Sequence, residues 1–358
     1  MSEATSPKPS PDKSRRAVVL ATVGIVVILG LAVFYVAVVA PLREVHATLR
    51  GFRESQVTHD EAVKRLGGPK DAARRVVTYL RLPRWMGANR AGATFMLSRI
   101  GPEAKDAVGA LVKALGDSDS GVRWSTAYAL GCIGPEAKAA VPALAKALGD
   151  TSHSVRMSAA AALGRIGPEA KDAVPELVKA LEDSEYRVRK NVVLALGEIG
   201  PKVKAVVPAL IGALEDTDVH VRRCAVGALG FIGAEAKVAA PALLNALEDP
   251  DAKMRGGAAW ALGKVGVEAE VAVPALIKAL KDSDPGVRCF AAQTLGKIGP
   301  AAKAAASALS DLLQDDSPTP WRSSLRGVDS VSAVATEALI RILGPTPNAS
   351  PEPPAPTE

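Results

Sequence analysis

Aromatic residues are scarce in this chain. Phe, Trp and Tyr make up 4% of its 358 residues, whereas 48% of the residues are hydrophobic. A buried core must therefore consist mainly of Ala, Val and Leu. Side chains of this size suit helices that pack closely together.

Cysteine and histidine, which often carry chemistry, are also few and scattered. Cys132, Cys224 and Cys289 form no C-x-x-C pair, so neither a disulfide framework nor a cysteine metal site is indicated. No histidine stands in an H-x3-H or H-E arrangement, and no nucleophile-elbow or phosphate-loop motif occurs. The sequence therefore predicts no metal, no cofactor and no catalytic residue, and we expect a protein that is not an enzyme. The histidines are His46, His59, His153 and His220, and the last two are expected in exposed turns.

One run without charge is long enough to cross a bilayer. Residues 17–40 contain no charged side chain. As a helix they would extend about 36 Å, which exceeds a hydrocarbon layer of about 30 Å. A cleaved signal peptide is the alternative, but its apolar region is usually shorter, and Pro41 is a poor residue to follow a cleavage site. We expect a single N-terminal transmembrane anchor.

Basic residues flank this run on both sides. Arg15 and Arg16 abut its start, while Arg43 and Arg50 follow its end. Because the first pair is the closer one, the positive-inside rule favours a cytoplasmic N-terminus with the bulk of the chain outside the cytoplasm. The opposite orientation, with the bulk of the chain cytoplasmic, is the alternative.

Charge is distributed unevenly along the chain. Residues 41–100 contain twelve basic and five acidic side chains, whereas residues 101–358 contain twenty-eight and thirty-one. The basic segment could contact anionic headgroups or form a solvated cap helix, and both interpretations stay open. Nucleic acid is an unlikely partner, because the longer segment is net negative and its aromatic residues do not alternate with basic ones.

Most of the chain is an internal repeat of 33 residues. Its apolar positions have helical spacing: Val122 and Leu130 share one helix face, and Leu144 and Leu148 share another. Gly134–Pro135 is typical of a helix end, and Pro142 suits the first turn of the next helix. Each unit is therefore predicted to be a helical hairpin that buries its apolar stripe by stacking on its neighbours. The glycine that marks the step recurs at Gly101, Gly134, Gly167, Gly200, Gly233, Gly266 and Gly299.

The motif within each unit points to one repeat family. Asp117 and Arg123 are six residues apart and are followed by "AL" at 129–130 and "VPAL" at 141–144. These residues resemble the HEAT-repeat family, in particular the short HEAT-like repeats of phycobilisome lyases. The resemblance covers about residues 84–314 and is weaker to about 345. It implies an all-α superhelix of antiparallel helix pairs, with the first helix of each pair on the convex side and the second on the concave side.

In this family the Asp and Arg form a ladder between repeats. An Asp near a helix N-terminus is stabilised by the helix dipole, and an Arg can bridge one unit to the next. The matching residues are Asp117, Arg123, Asp150, Arg156, Asp183, Arg189, Asp216, Arg222, Asp249, Arg255, Asp282 and Arg288. We interpret them as structural.

The predicted organisation has five parts. A disordered tail over residues 1–16 precedes the transmembrane anchor at 17–40. A basic juxtamembrane segment and an eroded capping repeat, in which Thr58 and Glu61 have capping-box spacing, occupy 41–83. The solenoid covers 84–345 with an insertion near 316–330, and a disordered Pro-rich tail covers 346–358.

Two groups of residues are candidates for protein binding. Four lysines share a column on the second helices, which could be a solvated face or could bind an acidic protein. Trp124 and Tyr128 are four residues apart on a first helix, and Trp260 stands in the Tyr128 column; they could be contact points or could be shielded by the N-terminal cap. The lysines are Lys113, Lys146, Lys179 and Lys278.

The sequence therefore favours a membrane-tethered, non-enzymatic HEAT-repeat scaffold that mediates protein–protein interaction with an unidentified partner. An enzyme or enzyme subunit resembling the HEAT-like bilin lyases is the alternative. The membrane span and the missing nucleophile or base stand against it.

Overall fold

The computed structural model describes Leu29 and residues 40–53, 58–80, 89–200, 202, 204–318 and 330–344. Within these residues the chain is helical, and the isolated bridge between Pro318 and Ser330 is the sole β-type pairing. The predicted all-α class is confirmed. The two predicted tails lie outside the described residues, as does the predicted anchor apart from Leu29 and Ala40.

The chain forms two compact units, Met1–Ala110 and Leu111–Glu358. The boundary between them falls within residues 84–345, the predicted solenoid. Helix α5 (Val108–Ala114) runs across this boundary. Unit 1 contains, in order, α1 (Ala40–Arg53), α2 (His59–Arg65), α3 (Pro69–Leu80), α4 (Arg90–Ile100) and a 3-10 segment, Gly101–Ala107.

Two polar contacts organise the described part of unit 1. The Thr58 hydroxyl caps α2 by accepting a hydrogen bond from the Glu61 amide at 3.3 Å, which is half of the capping box expected there. His46 Nδ1 lies 2.7 Å from the buried Tyr79 hydroxyl, which also accepts a hydrogen bond from the Asn89 amide. Burial raises the pKa of Tyr79, and the Asn89 hydrogen bond partly offsets this rise.

Unit 2 repeats one helix pair. Its first helices have 14 residues each, and the last one has 13. They are α6 (Ser120–Ile133), α8 (His153–Ile166), α10 (Tyr186–Ile199), α12 (Val219–Ile232), α14 (Ala252–Val265), α16 (Pro285–Ile298) and α18 (Val331–Leu343). The second helices that follow α5 are α7 (Val141–Ala147), α9 (Val174–Lys179), α11 (Val206–Gly212), α13 (Ala240–Ala246), α15 (Ala269–Ala279) and α17 (Ala306–Ser310).

Glycine and proline end and begin these helices much as the sequence predicts. Gly134 caps α6 with a φ of 71°, a backbone region that favours glycine, and Pro142 lies in the first turn of α7. A 3-10 segment, Gly134–Ala140, joins the two helices. Pro274 holds the position of Pro142 in a later repeat and is likewise expected in a first turn, but this expectation is wrong. After the left-handed Gly266 there is no 3-10 segment, so α15 already starts at Ala269 and Pro274 lies inside it.

The core of unit 2 lies between the two helix rows. Leu130, Ile133 and Leu144 are fully buried, as their helical spacing predicted. Successive first helices pack directly on one another: a Cβ added at Gly164 would lie 3.0 Å from the Ala195 Cα. The placement of the first helices on the convex side and the second helices on the concave side, which the resemblance implies, stays a prediction.

By length and composition, one helical stretch among the described residues, Val219–Ala246, could cross a membrane. It comprises α12, a 3-10 segment and α13, and the chain turns at Gly233, whose φ is 72°. These helices are the first and second members of one repeat in the stack.

Candidate interaction surface

The ladder joins each repeat to the next. Arg123 donates two hydrogen bonds to the Asp150 carboxylate, at 2.7 Å from Nε and 2.8 Å from Nη2. Its Nη1 donates to the backbone carbonyl of Asp117 at 2.9 Å. Each arginine thus donates to a backbone carbonyl in the turn of its own repeat and to the carboxylate of the following repeat. The same paired contact joins Arg156 to Asp183, Arg189 to Asp216, Arg222 to Asp249 and Arg255 to Asp282.

Arg288 extends the ladder beyond the predicted residues. Its Nε donates to the Asp315 carboxylate at 2.7 Å, and its Nη2 donates to the Ser317 hydroxyl at 3.3 Å. Asp315 lies directly before the predicted insertion. The ladder therefore reaches the last helix pair before the inserted segment.

Ladder side chains are mostly removed from solvent. The Arg189 and Asp216 side chains are 13% and 10% exposed. The pKa of the Asp150 carboxyl lies below its usual range because Arg123 donates to it, although burial opposes this shift. At Asp216 the largest single effect is burial, which raises the pKa. Hydrogen bonds from Arg189 and the Asp218 amide, together with the charge of Arg189, outweigh burial, so the pKa of Asp216 lies below its usual range.

These lowered pKa values predict an acid limit for unit 2. In the relevant pH range the unfolded chain binds more protons than the folded chain, so the ladder's contribution is complete above the ordinary carboxyl pKa of about 4 and is lost as pH falls below it. The urea midpoint of the wild type should fall steeply from pH 5 to pH 3. In Asp216→Asn, which cannot titrate at this position, the midpoint should be lower at pH 6 and should fall less. Parallel pH profiles for the two proteins would contradict this assignment.

The helix caps are a different set of residues from the ladder. The Asp218 carboxylate caps α12 by accepting from the His220 amide at 2.8 Å and the Val221 amide at 3.3 Å. Asp216, two residues earlier, accepts from the Asp218 amide. The ladder aspartates therefore orient the capping turn, and where an Asp stands two positions later its carboxylate satisfies free N–H groups of the helix. Ser152 and Glu185, at the same position of two other repeats, make no side-chain hydrogen bond to the helix.

A second set of side chains lies on the solvent side of the first helices. Positions 124, 128 and 132 are four residues apart on α6 and share one helix face. The 33-residue step places the equivalent positions of later repeats on the same face. We call this surface the first-helix face, and its members used below are Trp124, Tyr128, Cys132, Arg165, Leu194, Phe231, Trp260, Lys264 and Lys297.

Aromatic and basic side chains meet at the first of these repeats. The rings of Trp124 and Tyr128 stack with centroids 6.1 Å apart and planes 11° apart. The guanidinium of Arg165, from the next repeat, lies 5.3 Å from the Tyr128 centroid, and its Nη1 is 3.5 Å from Cys132 Sγ. The side chain of Trp124 stays 36% exposed. At its first repeat the first-helix face therefore has a partly exposed indole, that of Trp124, stacked on a ring that a guanidinium contacts.

A second cluster lies three repeats further on. Phe231 meets Trp260 edge to face with centroids 5.3 Å apart, and Lys264 Nζ lies 5.7 Å from the centroid of Trp260. The indole of Trp260 lies against Gly230, where an added Cβ would overlap the ring. Phe231 itself is 84% exposed. Because aromatic side chains are enriched in protein interfaces, this exposed pair of rings is a candidate contact site.

The basic side chains of this face are crowded. Arg223 pairs with Asp251, but among the described residues no carboxylate pairs with Arg165, Lys264 or Lys297. The pKa of Lys297 is lowered by partial burial and further by the charges of Lys264 and Arg341. A negatively charged group near Lys264 and Lys297 would therefore be favourable.

The four candidate lysines lie on the other row. Lys113, Lys146 and Lys179 are exposed on the second helices α5, α7 and α9. Lys278 differs, because its Nζ donates to Glu248 of the preceding repeat at 2.7 Å. The structure therefore separates the two predicted binding groups, with the lysines on second helices and Trp124, Tyr128 and Trp260 on first helices.

Metal-ligating or reactive side chains do not cluster in the described part of the chain. No three His, Cys, Asp or Glu residues there are arranged to hold a metal ion. His153 and His220 are exposed on the first turns of α8 and α12. Burial raises the pKa of the Cys289 thiol to about 11, which keeps it protonated near neutral pH. The side chain of His59 is outside the description.

Comparison with known proteins assigns this helical repeat scaffold to a family. The HEAT_2 family model of HEAT repeats matches residues 85–152, 174–243 and 240–327, and a second HEAT-repeat model matches 140–170. These ranges cover more than half of the chain, so the protein belongs to the HEAT-repeat family, as the motif predicted. No curated protein matches it.

Several solved structures are similar to this chain. An engineered protein is 24% identical over 84% of this chain and 88% of its own, with a TM-score of 0.54. A designed armadillo repeat protein in complex with the peptide (KR)4 is 24% identical over 54% of this chain and 98% of its own, with a TM-score of 0.46. The complex of CpcE and CpcF of phycocyanin lyase from Nostoc sp. PCC7120 is 26% identical over 65% and 93%, with a TM-score of 0.40. The first of these supports the stacked-repeat fold.

Proposed function

We propose that this protein is a non-catalytic HEAT-repeat scaffold that docks a partner protein on its first-helix face and is held at a membrane by residues 17–40. The observation that carries the docking is Phe231, which is 84% exposed and lies against Trp260. Lys264 lies 5.7 Å from the same indole and pairs with no carboxylate among the described residues. Burying a phenyl ring contributes about 1.5–3 kcal/mol, so its exposure favours association with a partner.

The composition of the face indicates the chemistry of the partner. Aromatic side chains and Arg dominate the binding energy of many protein interfaces, and this face presents Trp124, Phe231 and Arg165. Leu194, 44% exposed, lies between the two aromatic clusters. Because Arg165, Lys264 and Lys297 have no carboxylate partner among the described residues, a matching segment carries acidic side chains next to apolar ones.

The membrane attachment rests on the uncharged residues 17–40, and the orientation rests on the basic residues before them. We place the N-terminus in the cytoplasm and the solenoid outside it. Protease added to sealed inside-out vesicles should leave the solenoid intact if this orientation holds. Its digestion in intact vesicles would assign the solenoid to the cytoplasm instead, and release of the chain by a carbonate wash would exclude the anchor.

The docking can be tested by crosslinking in cells. A photo-crosslinking amino acid at position 231 should form an adduct with one protein, and Lys264→Glu in the same chain should abolish that adduct through charge repulsion. The matched control is position 238, since Val238 of the same repeat is 69% exposed but lies on the 3-10 segment. Equal adducts from both positions would refute docking on the first-helix face, and transfer of a tetrapyrrole by the purified protein would refute a non-catalytic role.

A further inference from the structure

The second helices carry an apolar stripe that faces outward. In the six second helices from α5 to α15, one side chain each lies between the buried positions and the exposed lysine column, and all six are apolar and half-buried. In α17 the equivalent residue is the exposed Ser310. We call this surface the second-helix face. Its stripe consists of Val112, Ala145, Val178, Ile211, Leu244 and Ile277.

Charges beside this stripe are sorted along the stack from α5 to α13, whereas the repeat of α15 has a lysine in both columns, Lys278 and Lys281. Toward the start of unit 2 the exposed side chains are Lys113, Lys146 and Lys179, and toward its middle they are Glu182, Glu215 and Glu248. The two sets overlap in a single repeat, the one that contains α9. The repeats of α5 and α7 have the lysine but not the glutamate, and Gly116 and Gly149 occupy the glutamate position there. Where later repeats have glutamate without lysine, the basic column holds Gly212 and Asn245.

The two columns are close enough to pair, as one pair demonstrates. Lys278 donates to Glu248 of the preceding repeat, 30 residues earlier, at 2.7 Å. For Lys146 and Lys179 the residues 30 positions earlier are glycines, so the side-chain acceptor that Lys278 uses is missing at those positions. Among the described residues, no ion pair joins Lys113, Lys146, Lys179, Glu182 or Glu215 to another side chain.

We propose that two copies of this chain associate antiparallel through the second-helix face. A two-fold axis through the repeat of α9 places Lys146 opposite Glu215 of the second copy, and Lys179 opposite Glu182. It also places Lys113 opposite Glu248, which within its own chain accepts from Lys278. Because a two-fold interface is self-complementary, every pair occurs twice, and the apolar stripes lie between the charged columns.

A second copy fits this pattern better than an unrelated acidic or basic partner. A uniformly acidic partner would be attracted to Lys113 and Lys146 but repelled by Glu215, and a uniformly basic partner would meet the opposite conflict. A copy of the same chain running in the opposite direction satisfies both ends at once. The inference does not depend on the docking proposed above, since that docking uses the first helices.

The test is the association of the full chain in detergent, followed by sedimentation velocity over a range of concentrations. The wild type should form a dimer that weakens as salt is added. Lys146→Glu/Lys179→Glu and Glu182→Lys/Glu215→Lys should each dissociate at least about tenfold more readily, because like charges then face each other. The matched control is Lys138→Glu/Lys171→Glu, which changes the net charge equally on exposed residues of the 3-10 segments and should dimerise as the wild type does.

Mixing the two dissociated variants provides the decisive step. One then has glutamate and the other lysine at positions 146, 179, 182 and 215, so all four contacts become complementary across the axis. A restored heterodimer supports the antiparallel arrangement, and matching urea midpoints of the separate variants show that they are folded. A monomeric wild type, a dimer unaffected by either variant, or a mixture that does not associate would overturn the proposal.

Discussion

Arg189→Ala is expected to lower the free energy of unfolding of unit 2 by about 3 kcal/mol, because it leaves the Asp216 carboxylate without its partner in a largely buried place. Asp216 is 10% exposed and loses two hydrogen bonds, and the Asp183 carbonyl loses the donor from Nη1. The effect should be seen as a lower urea midpoint by circular dichroism at pH 7. Arg189→Lys keeps the charge but not the two-point contact, so it should recover only part of the loss.

The chain offers a matched control for this substitution. Lys237 and Glu268 also form an ion pair between adjacent repeats, at 2.6 Å, but their side chains are 56% and 68% exposed. Lys237→Ala should therefore shift the urea midpoint much less than Arg189→Ala does, because solvent screens an exposed pair. If Arg189→Ala cost no more than Lys237→Ala, the ladder would not be what holds the repeats together.

Gly164→Ala is expected to destabilise unit 2 by about 2 kcal/mol through overpacking. The added Cβ would lie 3.0 Å from the Ala195 Cα and 3.3 Å from its Cβ, and the first of these is a backbone atom that cannot turn aside. The first helices would have to separate, although alanine is the better helix former. The measurement is again the shift of the urea midpoint.

The same substitution at another helical glycine should act in the opposite direction. A Cβ added at Gly227 of α12 meets nothing within 4 Å. Gly227→Ala should therefore stabilise the protein by about 0.5–1 kcal/mol, because alanine has less backbone freedom to lose on folding. Destabilisation of similar size at both positions would show that the close approach of the first helices is not responsible.

Much of the fold was predictable because a strict period exposes the residues that build it. Leu130, Ile133 and Leu144 had helical spacing, and all three are fully buried. The partner of each ladder arginine was harder to assign from sequence. Every such Arg has an Asp six residues before it and another 27 residues after it. In the structure the arginine donates to the backbone carbonyl of the first Asp and to the carboxylate of the second Asp.

The aromatic and basic clusters were less accessible to sequence reasoning. Tyr128 meets Arg165 37 residues later, and Phe231 meets Trp260 29 residues later. Both separations are one repeat plus or minus one helical turn, so they do not appear as a column at the 33-residue step. In the sequence, basic and aromatic residues therefore do not alternate, although the fold brings them into contact. Tyr128 and Trp260 were identified because they share a column.

Docking on the first-helix face is tested most directly by the affinity of the full chain for the protein that position 231 captures. Phe231→Ser and Lys264→Glu should each weaken binding by at least about tenfold. Their urea midpoints should stay close to the wild type, because both side chains are exposed. Lys179→Glu on the second-helix face should bind as tightly as the wild type. Unchanged affinity in the first two variants, or a loss confined to Lys179→Glu, would contradict the proposed function.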